Sequence, residues 1–240
     1  MLTWTRTRTT TLLAVGALAL GGCASADADP AATSAAPTAD PTTPAEPSAP
    51  ATGTGDVAAD LPTEVLLPES AWDADPAQRQ ESAGVVAWRF PQACDTGAPE
   101  SATAMRSVSQ GDGEAEAAIG VQQVAVFADA DAAVAEADRI TAALTACTTY
   151  ASDTSTTYVV EQLDVGAQGA GLATDYYGSS ASAPLDEAIG SYLAVTRRGT
   201  AITLVGSEGG ESLVGTARTD ATTQAQTAWE LLCRYDEAGC

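Results

Sequence analysis

The sequence predicts an α+β domain, a mainly antiparallel β-sheet with two main helices packed on it and two disulfides. Three observations lead there. Short β-rich runs are separated by Gly-bearing turns, so hairpin-type connections dominate. Only two stretches carry apolar residues at three- and four-residue steps. Four cysteines, Cys94, Cys147, Cys233 and Cys240, remain once Cys23 is set aside as a lipid-attachment residue.

The elements follow in order. Leu61, Val65, Leu66, Leu67 and Trp72 form an apolar leading segment, one short helix or turn broken at Pro68. Val85, Val86, Trp88 and Phe90 read as a strand stopped by Pro91, which cannot donate to a ladder. A weaker strand covers 105–109. A Gly-Asp-Gly turn at 111–113 follows, without the Asp/Asn spacing of a calcium loop. Residues 119–127 are the clearest strand, rich in β-branched side chains.

Asp129 and Asp131 stand where an N-cap and first-turn acid belong. The helix behind them runs to about Cys147. Its stripe is Val134, Ala137, Ile140, Leu144 and Cys147, with Glu136 and Arg139 off it. A strand is expected at 158–165, where Glu161 breaks the apolar parity and stands either at a sheet edge or in a cleft. A loop at 166–171, a strand at 172–177 and a hairpin of 189–196 with 201–206 come next. Arg197 and Arg198 are read as solvent-facing turn residues. The last helix spans 217–233, with Ala221, Ala225, Ala228, Trp229 and Leu232 on one face. Helices are expected together on one face of the sheet. Trp72, Trp88 and Trp229 are assigned to the core.

The first 60 residues carry targeting signals. Arg6 and Arg8 precede an apolar run at 12–20, too short for a spanning helix, which needs roughly 20 residues. Leu20-Gly21-Gly22-Cys23 closes it as a lipobox. Residues 1–22 are therefore expected to be a lipoprotein signal peptide. Cys23 becomes the first mature residue, bearing palmitate-type acyl chains; two chains anchor stably where one is marginal. Residues 24–60 hold half of the twelve prolines and no aromatic residue. Together with Cys23 they make a disordered Pro/Ala/Thr-rich tether, reaching roughly 35 Å as a coil. Asp27 and Asp29 are solvated charge in that tether. Residues 61–240 are the folded domain. The expected location is the outer face of the cytoplasmic membrane.

All ten basic residues are arginine and the net charge is −22. Two of those arginines precede the cut, so the mature charge becomes −24. Such a chain repels nucleic acid. The absence of His excludes Ser-His-Asp catalysis and HExxH zinc sites. The absence of Lys excludes Schiff bases and the phosphate-loop lysine. Gly210-Glu-Ser212 runs on into Leu213-Val214, so no nucleophile elbow forms. Carboxylate chemistry is what survives, with Glu161, Asp175, Asp186, Glu187, Glu208 and Glu211 available; among 32 acids such candidates are not themselves a signal. Asp175-Tyr176-Tyr177 either packs or presents rings to a sugar or lipid head.

In an oxidising compartment the four remaining cysteines read as two disulfides, with three possible connectivities. Cys233 and Cys240 close a small loop past the last helix, which leaves Cys94 for Cys147. Zinc is disfavoured, because there is no Cys-x-x-Cys pair and no His.

The run Val124-Ala-Val-Phe127, the acidic helix start, Ala146-Cys147 at that helix's end, and the final helix with Trp229, Cys233 and a terminal Cys240 resemble the PknH-like extracellular sensor domain family. That family occurs on receptor kinases and on free lipoproteins. The resemblance covers about residues 61–240. It implies a mixed sheet-and-helix domain with two disulfides and a groove suited to a small ligand. A member without a cytoplasmic kinase half is expected. The expectation is a non-enzymatic extracytoplasmic lipoprotein with a sensor-like domain that binds an envelope ligand or partner, without metal or cofactor. The alternatives are a cell-wall glycan hydrolase using paired carboxylates and a structural accessory subunit of a membrane complex.

Overall fold

The computed structural model describes residues 61–147 and 155–235. Seven strands form one antiparallel sheet: β1 (Gln80–Ala83), β2 (Ala102–Gln110), β3 (Ile119–Phe127), β4 (Thr157–Gln162), β5 (Ala167–Asp175), β6 (Gly190–Arg198) and β7 (Ala201–Glu208), in the order β1-β2-β3-β7-β6-β5-β4. Two α-helices, α1 (Ala130–Ala146) and α2 (Val214–Leu231), complete the fold. The sheet class and both helices agree with the sequence. Asp129 caps α1 by accepting the Ala132 N–H at 2.8 Å.

The helices do not share a face. Strand side chains alternate between faces. On β3, Val121, Ala125 and Phe127 pack with Ile140 and Leu144 of α1, whereas Val124 and Val126 pack with Ala217, Ala221 and Ala225 of α2. The central strands are thus buried on both sides, and this is why β3 carries apolar residues on both faces rather than alternating apolar with exposed polar ones. The leading segment, with short 3-10 turns at Thr63–Val65 and Glu69–Ala71, joins α2 on its face.

The strand expected at 85–90 is not formed. Gly84 sits at φ +118°, in the left-handed half of backbone space, and ends pairing there. The true edge strand is the polar β1 just before it. Val85 and Val86 are exposed, while Trp88 is 2% exposed on the α1 face. The irregular segment finds its hydrogen bonds elsewhere: Trp88 N–H donates to Gly97 O at 3.0 Å, and Arg89 N–H to the Gln123 Oε1 at 2.6 Å.

Glu136, expected off the buried stripe, is 5% exposed. It accepts the Trp88 indole N–H at 2.7 Å and pairs with Arg139 at 2.6 Å. Arg139 also donates to the Thr96 carbonyl. Helix α1 therefore holds the 85–97 segment through a carboxylate, and Val134 is only half-buried.

The loop expected at 166–171 is the start of β5. Gly171 pairs with Glu161 and Ala194 within the sheet, and it is glycine because any Cβ there would collide with the Tyr192 ring on β6. Arg197 and Arg198 are half-buried rather than solvated. Arg197 donates to Gln168 at 2.6 Å, and the Arg198 guanidinium stacks 3.9 Å from the Trp229 ring. Trp229 is consequently half-buried, while Trp72 and Trp88 are core.

Cys94–Cys147 is formed, with Cα atoms 5.2 Å apart. It is the one complete disulfide among the described residues. Cys233 has a partner, but Cys240 lies outside those residues, as do Cys23, the signal segment and the tether. No helix among the described residues is long and apolar enough to cross a membrane.

Candidate ligand-binding cleft

Of the six acids, the structure brings Glu161 and Asp186 together on one arginine. Glu161, on edge strand β4, forms a two-pronged ion pair with Arg218 of α2 at 2.8 Å, and Asp186 contacts the same guanidinium. The edge reading of Glu161 therefore holds. The Arg218 guanidinium lies 5.6 Å from the Tyr192 ring. Burial, then the neighbouring Glu161 charge, holds the Tyr192 phenol well above its ordinary range. Glu187 and Glu211 are exposed. At the 111–113 turn, Asp112 accepts the Glu114 N–H at 2.9 Å, an ordinary turn-capping bond. Among the described residues no group of three or more His, Cys, Asp or Glu side chains is arranged to hold a metal.

Asp175 and Glu208 stand at the ends of strands β5 and β7. Asp175 ends β5 fully buried. Its carboxylate accepts the N–H of Tyr177 at 3.1 Å and of Ser180 at 2.8 Å. Burial raises its pKa, but these hydrogen bonds outweigh burial and hold it below the ordinary carboxylate range. The turn they build separates the two tyrosines. Tyr177 goes to solvent, 60% exposed. Tyr176 turns inward, its hydroxyl donating to Gly209 O at 3.2 Å.

Beside Tyr176 runs a row of polar side chains. Tyr158 of β4 is in register with Thr174 of β5, and Thr174 with Ser191 of β6. Glu208, at the end of β7, continues the row. Across from it stands Arg89, from the irregular segment, its Nε 2.8 Å from Glu208 Oε2. These residues, with Phe90 and Pro91, line a cleft of ≈ 360 Å³. That lies within the usual range for small-molecule sites, about 300–1,000 Å³. Burial pushes the Glu208 pKa up, opposed by the Arg89 charge. Burial also pushes the Tyr176 phenol up, so it remains a neutral hydrogen-bonding group.

A larger groove, ≈ 560 Å³, lies on the other side of the same segment and shares Arg89 and Phe90 with the cleft. It opens along the exposed strand β1, whose Glu81 is engaged by Arg79 at 2.9 Å. We place the candidate site in the smaller cleft, because two phenols, two hydroxyls and an ion pair converge there over paired strands. Sequence reasoning weighed Tyr176 but missed Arg89 and Tyr158. The one available signal was an arginine set between Trp88 and Phe90 in an otherwise apolar run.

No family model matches the chain, and no curated protein matches it. Among solved structures, the extracellular domain of PknH from Mycobacterium tuberculosis is similar at 12% sequence identity and a TM-score of 0.45, over 70% of this chain and 94% of that chain. At that level the likeness is a distant one of fold.

Proposed function

We propose that this chain is an extracytoplasmic, lipid-anchored protein whose sensor-like domain binds a small envelope ligand in the Arg89–Tyr176–Glu208 cleft. Two lines support the location. The lipobox at Cys23 supplies an anchor outside the membrane, and a disulfide between Cys94 and Cys147 belongs to an oxidising compartment. Cys233 and Cys240 form the second disulfide in this reading. The ligand role is carried by one observation, the convergence of Tyr158, Tyr176, Thr174, Ser191 and the Arg89–Glu208 pair on a concave site. Convergent polar groups in a pocket with burial-perturbed ionisation are the usual mark of a binding site. No nucleophile–base pair is part of the proposal, so binding rather than turnover is expected.

The test is native mass spectrometry of the protein extracted from its own envelope, alongside the mass of its N-terminal peptide. A retained small molecule that is lost in Tyr176→Ala supports the reading. A stoichiometric protein partner with no small molecule would favour a structural subunit instead. An N-terminus other than lipidated Cys23 would remove the anchor.

A further inference from the structure

The geometry points to a neutral, hydroxyl-rich ring, a mono- or disaccharide unit, as the ligand of the Arg89–Tyr176–Glu208 cleft; this rests on that cleft being the binding site. Each competing ligand class meets a specific physical obstacle.

An anion would need a free cation. Arg89 is the cation lining the cleft, and it is already held by Glu208 at 2.8 Å. The chain around it carries a net charge of −22, which lowers the local concentration of anions. A cation would need Glu208, which Arg89 neutralises. A zwitterion would have to pull the pair apart, and separating a partly buried ion pair exposes two charges to incomplete compensation before any new contact forms. A hydrocarbon chain would displace water from the remaining hydrogen-bonding capacity of the Thr174, Ser191 and Tyr176 hydroxyls and offer nothing in its place.

A neutral polyol meets none of these obstacles. Its hydroxyls exchange hydrogen bonds with the Thr174, Ser191 and tyrosine hydroxyls, each of which both donates and accepts. The second carboxylate oxygen of Glu208 and the remaining N–H groups of Arg89 add an acceptor and donors without breaking the pair. The faces of Tyr158, Tyr176 and Phe90 offer aromatic surface to the C–H face of a ring. The volume, ≈ 360 Å³, accommodates a small ring system rather than a polymer.

The experiment uses the full chain, exported and purified in detergent. It is titrated by saturation-transfer NMR and calorimetry with a panel of neutral mono- and disaccharides that includes trehalose and chitobiose. A glycyl dipeptide and inorganic phosphate are the charged comparators. The expected result is saccharide binding that changes less than twofold between low and high salt. Tyr176→Ala should weaken it at least tenfold and Ser191→Ala severalfold, while the exposed Tyr177→Ala leaves it unchanged. Thermal melts certify that each variant is folded. Binding of the dipeptide or phosphate alone, abolished by Tyr176→Ala, overturns the ligand class and leaves the cleft standing as the site. Saccharide binding that survives both folded cleft variants overturns the inference, and so does no binding by any saccharide. In that last case a small molecule retained from the envelope still decides the wider reading on its own.

Discussion

Gln122 and Gln123, consecutive on β3, point to opposite faces of the sheet and clamp an irregular segment on each. Gln122 accepts the Leu67 N–H at 2.6 Å and donates to Val65 O at 3.2 Å. Gln123 accepts the Arg89 N–H at 2.6 Å and donates to Ala87 O at 3.0 Å. An amide side chain offers the same donor and acceptor as a peptide group. Each glutamine therefore acts as a single-residue strand for a segment that has no ladder of its own. Through Gln123 the central strand fixes the backbone of Arg89, and so one wall of the cleft.

Replacing Gln123 by Ala leaves the Arg89 N–H and Ala87 O without partners. Both bonds are only part-buried, so water can replace much of the loss, and the expected cost is about 1 kcal/mol, that of a typical intramolecular hydrogen bond. Urea unfolding measures it, and hydrogen exchange at the Arg89 amide should accelerate more than exchange in β6. Equal acceleration everywhere would mean that the clamp is not local. Gln122→Ala should loosen residues 65–67 on the other face and leave the Arg89 amide protected.

How much of this was legible differs from element to element. Strand β3 was, because its β-branched residues are numerous, and helix α1 was, because its apolar residues recur at helical spacing. The strand at 85–90 was misread because hydrophobic content alone says nothing about where its backbone groups pair, and Gln123 supplies those partners from a distant part of the chain. Strand β1 was missed because all four of its residues are exposed, so no burial pattern marks it. Glu136 was placed off the apolar stripe because a carboxylate within a helix rarely joins one; its partner Trp88 lies 48 residues away. The cleft was only half visible. Tyr176 stood out beside Asp175, but its convergence with Arg89 and Glu208 depends on sheet order.

Glu136→Ala removes the acceptor for the Trp88 indole. A buried N–H left unpaired costs about 1–3 kcal/mol. The lost ion pair adds little, because Arg139 is 41% exposed and water can take over its charge. Glu136→Gln keeps an acceptor for Trp88 and should fall between the wild type and the Ala variant. Chemical denaturation followed by tryptophan fluorescence checks the order. An Ala variant as stable as the parent would show that Trp88 is held by packing alone.

Reducing Cys94–Cys147 releases a loop closed over a sequence separation of 53. Chain entropy puts the loss at about 4 kcal/mol. That is a large share of a domain stability of about 5–15 kcal/mol. The double variant Cys94→Ala/Cys147→Ala should therefore melt well below the parent in the absence of reductant, and reductant should lower its midpoint less than it lowers the parent's. Comparable sensitivity of the two would assign the effect to Cys233.

Asp175, in the turn after β5, and Glu208, in the cleft, give opposite dependences on pH. Asp175 is below its ordinary value of 3.8 in the folded chain, so the unfolded chain binds its proton more tightly. Its contribution is fully present above that value and is lost as pH falls through the folded pKa. Glu208 is above its ordinary value of 4.5, so the folded chain binds the proton more tightly. Its contribution is present below 4.5 and declines as pH rises through the folded pKa. Asp175→Asn should therefore lose stability near neutrality and differ less from the parent in strong acid. Glu208→Gln should do the reverse, remaining close to the parent below 4.5 and gaining on it as pH rises. Arg89 opposes the burial of Glu208, so Arg89→Met should push the carboxyl higher still and move that decline to higher pH. Thermal melts across the acid range, read against NMR titration of the two side chains, separate the contributions. A Glu208 carboxyl that titrates below its ordinary value would mean that the Arg89 charge outweighs burial, and the sign of the Glu208→Gln effect would then invert.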